Sequence, residues 1–383
     1  MRLILCLLIL PMITAAAFSS PTGDSGDVVS VVRSYSLHGD DGTALDWHDD
    51  RGRRGRGRRA LLHEVRPVRR DARVEYEDEV ESLYPTVQRA FVIPDGRDTN
   101  DDNVRSARAR PGTTVVNVRQ TSFGCGRLGA TVWPSSIALA ALLSRRPFDD
   151  GCRDQSTMVA GRRVLELGSG CGLPSAVASM LGAACVLATD HWEEEEGGGS
   201  RRGRKDDDGD GGGRLMPKNP HGANLAHNVV GASVVPAVAS VRRLDWHDEG
   251  GARDIANDYR PDLIIGSDLI YYPADVSPLL RTLGILLGDD GGGKSEGVKG
   301  GGEERRRREA LLISPLPPNA ERASLGEFRA RLATATDDDD DDGWLVGCEV
   351  LMDELVMIER TAGDDDGDNG DEERHNLLAI RIL

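Results

Sequence analysis

The sequence predicts an α/β domain built on a mostly parallel, doubly wound sheet. From about residue 112, short apolar runs typical of buried strands alternate with segments whose apolar residues recur at helical spacing. A glycine-rich turn, Gly168–Gly172, separates one predicted strand from the helix after it, and Asp190 ends the next strand. Strands that alternate with helices in this way are typical of parallel sheets covered by helices on both faces.

The individual elements follow from the apolar pattern. Val115, Val116 and Val118 indicate a strand, and a helix is predicted over Ser135–Leu143, with Ser135 or Ser136 as its N-cap. Apolar runs predict five core strands, at Val164–Leu167, Cys185–Thr189, Val234–Val241, Asp262–Ile265 and Ala310–Ser314. Further helices are predicted at Leu173–Leu181, Ser277–Leu287 and Glu321–Leu332. The last two predicted strands form an antiparallel pair, Trp344–Met352 and Leu377–Ile382.

Composition divides the 383 residues into three regions. Residues 1–17 are a signal-like targeting segment, residues 18–111 a low-complexity and largely disordered region, and residues 112–383 the folded domain. Three tracts of glycine and acidic residues are predicted to be disordered insertions in that domain, at 193–213, 288–308 and 363–374. They contain too few apolar residues to offset the entropy lost on folding.

Two segments of the N-terminal region stand out. The arginine-rich Arg51–Arg59 is interpreted as a disordered linker, and contact with RNA or an acidic partner is the alternative. The apolar stretch Leu83–Ile93 is predicted to form a helix or a strand that packs on the core.

Charge and cysteine content exclude several functions. With 64 acidic and 47 basic residues, the net charge is −17, so the overall field does not favour nucleic acid. The six cysteines include no Cys-x-x-Cys pair, which argues against a structural zinc site. Cysteines this sparse in a long chain also argue against a disulfide scaffold.

The N-terminus resembles a targeting signal. Arg2 precedes the apolar run Leu3–Ala17, which ends in three alanines and is too short to span a bilayer comfortably. A signal peptide is the leading interpretation, and a start codon assigned too far upstream is the alternative. The junction Ala17–Ser20 also resembles the plastid entry signal of algae with secondary plastids, although the acidic residues that follow are atypical of transit peptides.

The glycine-rich turn carries the clearest functional signal. Glu166, Gly168, Gly170 and Gly172 follow an apolar strand and open a helix, where glycines allow a tight turn and close approach of a ligand. A dinucleotide fingerprint places its third glycine at position 173, where this chain has Leu173. The spacing instead suits a nucleoside with a short charged tail, such as S-adenosylmethionine.

Asp190 strengthens the prediction of a nucleotide site. It ends the strand after the glycine turn, 18 residues beyond Gly172. A carboxylate at this position of related folds accepts hydrogen bonds from both ribose hydroxyls. The glycine turn and Asp190 together therefore predict cofactor binding.

Several motifs in a fixed order connect these residues to a known family. They are Gly129–Ser136 (GATVWPSS), Glu166–Leu173, Asp190, Asn224–Asn228 (NLAHN), Leu244–Trp246 and Asp262–Tyr271. The series resembles the family-16 seven-β-strand methyltransferases, which are largely protein-lysine N-methyltransferases. The resemblance covers about Val115 to Leu383 and implies a Rossmann-like seven-stranded methyltransferase fold, with S-adenosylmethionine as cofactor.

The resemblance assigns roles to individual residues. It implies that Gly129 and Trp133 lie near the methionine end of the cofactor, and that Glu166, Gly168 and Gly170 shape its pocket. It places Asp190 on the ribose and Asp245 and Trp246 beside the adenine. Asp268 and Tyr271 match an Asp-x-x-Tyr motif at the substrate entrance and are the candidate catalytic residues. For Asn224 and Asn228, a place in solvent or at a helix cap is as probable as function.

The implied reaction is methyl transfer to a lysine amine of a protein by in-line displacement, which needs no metal. The alternatives are N-methylation of a small molecule and a non-catalytic scaffold that retains the fold. The resemblance gives no reason to expect a specific nucleic acid or a stable membrane span, and the oligomeric state stays open. Because a secretory lumen does not obviously supply the cofactor, plastid or cytosol is favoured over secretion.

Overall fold

The computed structural model describes residues 31–39, 61–65, 86–93, 114–121, 128–144, 157–192, 220–232, 239–288, 308–316, 323–335, 345, 348–361 and 371–383. The predictions for residues 1–17, for Arg51–Arg59 and for the insertion 193–213 fall outside these ranges. So do most of the insertions predicted at 288–308 and 363–374.

The described residues form strands and helices that alternate through the C-terminal two thirds of the chain. The strands are β1 (Val31–Gly39), β2 (Leu61–Val65), β3 (Thr86–Ile93), β4 (Thr114–Thr121), β5 (Arg163–Leu167), β6 (Cys185–Asp190), β7 (Ala239–Arg243), β8 (Leu263–Ser267), β9 (Glu309–Pro315), β10 (Val350–Thr361) and β11 (Glu372–Ile382). The helices are α1 (Pro134–Leu143), α2 (Leu173–Met180), α3 (Pro220–Ala232), α4 (Glu249–Asp258), α5 (Pro273–Leu287) and α6 (Ala323–Ala335).

All eleven described strands belong to one sheet, in the order β4-β3-β2-β1-β10-β11-β9-β8-β5-β6-β7. Strands β9, β8, β5, β6 and β7 are parallel to one another. Strand β11 runs antiparallel to β9, and β10 pairs antiparallel with β11. These seven strands confirm the predicted Rossmann-like methyltransferase fold with its C-terminal antiparallel pair.

Helices cover both faces of the parallel strands. One apolar cluster combines residues of α1, α2 and α3 with alternate residues of the strands, and the other combines α4, α5 and α6 with the remaining alternate residues. In β5, for example, Val164 belongs to the first cluster and Leu165 to the second. The sheet is therefore doubly wound, as predicted. Among the described helices, none combines the length and hydropathy that a membrane crossing requires.

The N-terminal strands extend the sheet beyond the seven-stranded unit. Strand β1 pairs antiparallel with β10, and β2, β3 and β4 follow as an antiparallel meander. The prediction of a largely disordered region over 18–111 is therefore wrong for β1, β2 and β3. Alternate side chains such as Tyr35 and Leu37 are buried against the core, and the open edge of β10 supplies the hydrogen-bonding partner. Such short, isolated strands are weak signals within a charged stretch.

Helix α1 lies between the N-terminal strands and the parallel strands, and every residue from Ser135 to Leu143 is buried. The helix agrees with the prediction, but the expected serine N-cap is wrong. Trp133 occupies the N-cap position without a side-chain hydrogen bond, and Pro134 begins the helix. Proline is favoured at this position because its missing N–H would have no helical partner.

Element boundaries differ from the prediction where strands are amphipathic. Strand β7 continues to Arg243, and β10 reaches Thr361, nine residues beyond the predicted Met352. Strand β11 begins at Glu372, so the end of the insertion predicted at 363–374 is a strand. The β11 extension carries polar and charged residues, for which hydropathy gives no signal, whereas the β10 extension includes the apolar Leu355–Ile358 and is paired on both sides, by β1 and β11.

Candidate functional site

The glycine turn after β5 packs tightly between two other segments. Gly168 and Gly170 have φ of +55° and +53°, a region that favours glycine. A Cβ on Gly168 would lie 2.6 Å from Cδ2 of Leu269 and 3.4 Å from Cζ2 of Trp246. A Cβ on Gly170 would lie 3.1 Å from the carbonyl oxygen of Gly129. The turn therefore contacts Trp246 on one side and the segment before α1 on the other.

Asp190 lies directly beside this turn, at the carboxyl end of β6. Its Oδ2 accepts a hydrogen bond from the Gly170 N–H at 2.6 Å, and its Oδ1 accepts one from the His191 N–H at 2.7 Å. The Leu244 N–H donates to the Asp190 carbonyl at 2.9 Å, which fixes the end of β7 against β6. A carboxylate oxygen can accept more than one hydrogen bond, so this carboxylate is chemically suited to ribose hydroxyls.

Glu166 is fully buried in β5, below the glycine turn. Its Oε2 accepts a hydrogen bond from the Ser175 N–H at 3.1 Å, at the start of α2, whereas its buried Oε1 has no hydrogen-bond partner. Burial and the nearby charge of Asp190 raise the pKa of Glu166 to about 8, although hydrogen bonds from Ser175 and Ser169 oppose the shift. A buried oxygen that accepts no hydrogen bond destabilises the folded state unless a water or a ligand donates one to it.

Asp245 and Trp246 follow β7 at the same edge of the sheet. Oδ1 of Asp245 accepts a hydrogen bond from the His247 N–H at 2.9 Å, and Oδ2 lies 3.5 Å from Nδ1 of His191. Trp246 is partly buried, and its carbonyl accepts a hydrogen bond from Oγ1 of Thr282 in α5 at 3.3 Å. The closeness of its ring to Gly168 places Trp246 at the glycine turn, and its position beside the adenine stays a prediction.

Asp268 follows β8 in a strained backbone conformation. Its φ is +54°, which is uncommon for a residue other than glycine. The side chain is buried, and the Tyr271 hydroxyl donates a hydrogen bond to its Oδ2 at 2.7 Å. The backbone N–H of Asp268 donates to the Ile313 carbonyl of β9 at 2.8 Å, which holds this conformation. The two candidate catalytic residues are therefore in direct contact.

The segment before α1 brings Gly129 to the same edge and continues to Trp133 at the start of α1. Residues Leu128–Ala130 form a short 3₁₀ turn, and the Cys171 thiol donates to the Gly129 carbonyl at 3.5 Å. Trp133 is half-buried, and its carbonyl accepts bonds from the backbone N–H groups of Ser136 and Ile137. Gly129 contacts the glycine turn directly, whereas the position of Trp133 near the methionine end of the cofactor stays a prediction.

Asn228 of α3 supports the site, a role that neither a solvent position nor a helix cap describes. It is buried, and its Nδ2 donates to the carbonyls of Cys171 at 2.9 Å and of Arg119 at 2.8 Å. Its Oδ1 accepts from the Arg119 N–H at 2.7 Å. The amide thus joins α3, the glycine turn and β4. Its spacing from Asn224 marks one helix face but does not identify these partners.

The described residues also contain a group with metal-ligand chemistry elsewhere. Glu359, Glu373 and His375, on β10 and β11, offer ligand atoms that all lie within 4.8 Å of one another. Glu359 already pairs with Arg33 at 3.2 Å, and none of the three contacts the candidate catalytic residues. That methyl transfer here needs no metal stays a prediction.

The arrangement fits S-adenosylmethionine. The glycine turn allows a ligand to approach the backbone, Asp190 offers carboxylate oxygens for a ribose, and the buried Glu166 holds the start of α2 beneath the turn. All three lie at the carboxyl ends of β5 and β6, next to the point where the strand order reverses between β5 and β8. Ligands of open α/β sheets bind at this position.

Comparison with known proteins supports the family. Residues 115–197 match a family described as lysine methyltransferases, which confirms the predicted resemblance over the segment from β4 to the residues after Asp190. S-adenosylmethionine is accordingly the cofactor of this site. A zebrafish (Danio rerio) electron transfer flavoprotein beta subunit lysine methyltransferase is 41% identical over 61 residues. The alignment covers 16% of this chain and 20% of the zebrafish enzyme.

Similar solved structures include two bacterial methyltransferases. A SAM-dependent methyltransferase from Anabaena variabilis is 13% identical, with a TM-score of 0.33, and covers 58% of this chain and 76% of its own. An S-adenosylmethionine-dependent methyltransferase from Mesorhizobium loti is 18% identical, with a TM-score of 0.23, and covers 42% and 48%. The strand order described above, and not these alignments, defines the fold.

Proposed function

We propose that this chain, whose residues 115–197 match lysine methyltransferases, transfers a methyl group from S-adenosylmethionine to a lysine amine of a protein. One observation carries the proposal. Asp268, buried and bonded to Tyr271, follows β8 at the same sheet edge as the glycine turn and Asp190. The edge thus combines a cofactor pocket with a carboxylate suited to a cationic acceptor.

Asp268 addresses the main chemical obstacle of the reaction. A lysine amine has a pKa of about 10.4 and is mostly protonated near neutral pH. The buried carboxylate binds the incoming ammonium, and the hydrogen bond from Tyr271 fixes the orientation of that carboxylate. Loss of the proton, aided by desolvation of the amine in the site, leaves the neutral nucleophile.

Alignment provides the remaining acceleration. Bound S-adenosylmethionine supplies a methyl group on a positively charged sulfonium, so the electrophile needs no further activation. Holding the amine in line with this group can contribute about 7–11 kcal/mol in favourable systems. Asp268 contributes by positioning the nitrogen, and the strained backbone at this residue fixes the direction of its side chain.

An exposed aromatic residue favours a protein acceptor over a small molecule. Tyr272 follows the Asp268–Tyr271 pair and is 59% exposed, with its ring centroid 6.4 Å from that of Tyr271. An exposed aromatic face beside a buried acid suits the long apolar stem and charged end of lysine. A closed pocket for a small acceptor would be expected to bury such a ring.

Two measurements on the full chain test the proposal. Calorimetric titration with S-adenosylmethionine is expected to show binding that Asp190→Ala weakens at least about tenfold, because the carboxylate accepts charge-assisted hydrogen bonds. Transfer of a labelled methyl group into a cell extract is then expected in protein, as methyl-lysine after hydrolysis. Asp254→Ala is the matched control, since the Asp254 side chain is 68% exposed and pairs only weakly with Arg242.

The possible results separate the alternatives. Label confined to small molecules would replace the protein acceptor with a small one. A folded chain that does not bind the cofactor would overturn the enzyme and support a scaffold that retains the fold.

A further inference from the structure

The peptide groups of Val132 are held from both sides by the N-terminal part of the sheet. The Val132 N–H donates to Oε1 of Gln120 in β4 at 3.1 Å, and Nη1 of Arg89 in β3 donates to the Val132 carbonyl at 3.4 Å. Val132 is only 5% exposed. Its carbonyl belongs to the peptide bond that joins Val132 to Trp133, so Arg89 contacts the backbone directly before the tryptophan.

Arg89 is itself fixed by neighbouring strands. Its Nε and Nη2 donate to the two carboxylate oxygens of Glu64 in β2, at 2.8 and 2.7 Å. The hydroxyl of Tyr35 in β1 donates to Oε2 of Glu64 at 2.9 Å. Two parallel bonds to one carboxylate fix the plane of a guanidinium, so little freedom remains at the group that reaches Val132.

We propose that Arg89 and Gln120 are positioning residues, which fix the Val132 peptide groups and thereby the place of Trp133 at the cofactor pocket. The inference rests on the proposed function. The segment they hold lies against the glycine turn, because Gly129 contacts Gly170 and accepts a bond from Cys171. The Trp133 carbonyl is fixed on its other side by the first turn of α1.

The positions of Arg89 and Gln120 indicate a role beyond covering the apolar core. The apolar side chains of β1–β4 already bury α1, and the polar groups of Arg89 and Gln120 converge on a single residue beside the pocket. A displacement of about 1 Å in a segment that positions a ligand can reduce activity strongly. The N-terminal strands therefore contribute to cofactor binding without touching the cofactor.

Gln120 provides the sharper test, because Arg89→Met would leave the buried Glu64 carboxylate without its ion-pair partner. Gln120→Met removes the acceptor for the Val132 N–H at similar volume, whereas Gln120→Glu retains an acceptor oxygen. S-adenosylhomocysteine titrated into the full chain is expected to bind about three- to tenfold more weakly to Gln120→Met, the effect of one lost hydrogen bond. Gln120→Glu is expected to stay within about twofold of the wild type.

Two further variants separate positioning from stability. Arg374→Met removes an exposed ion pair with Glu372 on β11 of the same sheet and is expected to leave the affinity unchanged. In a Trp133→Ala background, Gln120→Met is expected to have no additional effect on affinity, because the residue through which it acts is gone.

The outcomes distinguish this inference from the proposed function. Wild-type protein that does not bind S-adenosylhomocysteine overturns both. Wild-type binding that Gln120→Met leaves unchanged, or that it weakens equally in the Trp133→Ala background, overturns the positioning role alone.

Discussion

Two buried glutamates lie at opposite ends of the parallel strands and have opposite electrostatic surroundings. The side of the sheet where these strands begin is called the amino edge, and the side where they end is called the carboxyl edge. Glu309 begins β9 at the amino edge, where it forms ion pairs with Arg162 and with Arg381 at 2.9 Å. Burial alone would raise its pKa, but the two arginines hold the pKa of Glu309 below its usual range. Glu166 lies toward the carboxyl edge, lacks a cationic partner among the described residues, and has its pKa raised to about 8 by burial.

Hydrogen bonds between side chains and the backbone also join the strands at the amino edge. At the amino edge, Arg162 donates to the Asp262 carbonyl at 2.6 Å, and the Asp262 carboxylate accepts from the Arg163 N–H at 2.8 Å. The positive φ of Asp268 and the glycine turn at the carboxyl edge has a counterpart at the amino edge, where Arg260 has a φ of +51°. The two edges therefore differ in charge pairing and not in backbone strain: arginines neutralise the buried glutamate at the amino edge, whereas no described cation pairs with Glu166 at the carboxyl edge.

The largest effect is expected at Asp268. Asp268→Asn removes the charge that binds the ammonium while preserving shape, and should lower methyl transfer by about 10²–10⁴-fold, the range of catalytic proton-handling groups. Cofactor affinity should stay within a few fold. Steady-state transfer and S-adenosylhomocysteine titration, with Asp254→Asn as the exposed control, measure the two quantities. Unchanged turnover would remove Asp268 from the mechanism.

At the amino edge, a change should affect stability and leave function intact. Arg381→Met removes one of the two arginine partners of the buried Glu309 and is expected to lower the free energy of unfolding by about 1.5–3 kcal/mol, the cost of one lost hydrogen bond to a charged group. Denaturant unfolding followed by circular dichroism measures this loss. Affinity for S-adenosylhomocysteine under native conditions should not change, and a large change would mean that the two edges are coupled.

A third effect concerns the pH dependence of stability. Because the pKa of Glu166 is about 8 in the folded chain, between its ordinary value and pH 8 the folded state binds more protons than the unfolded state. Its contribution therefore makes stability fall as pH rises, by up to about 1.4 kcal/mol per pH unit. Glu166→Gln should remove this contribution and be relatively more stable at the alkaline end.

Thermal unfolding from pH 5 to 8.5 measures the prediction. Glu327→Gln, on the surface of α6, serves as the control and should follow the wild type. Parallel curves for wild type and Glu166→Gln would contradict the raised pKa. Glu309 has the opposite sign: its stabilising effect is lost as pH falls through its lowered pKa.

The sequence by itself determined the alternating core and the composition of the site. Gly168, Gly170 and Asp190 could be recognised because each follows a strand within a short, local pattern, and the carboxyl ends of parallel strands necessarily meet at one edge. Asp268 and Tyr271 are only three residues apart, so their contact also lies within reach of a local motif.

Only the tertiary structure decided which distant residues support that site. Asn228 and Arg119 are 109 residues apart, and Arg89 and Val132 are 43 apart. Strand β1 of the N-terminal region pairs with the edge of β10, more than 300 residues further along the chain. The local sequence pattern indicates which residues are buried and where the chain turns. The pairing of distant residues depends instead on how the N-terminal strands pack against α1 and β10, which no short segment of the chain encodes.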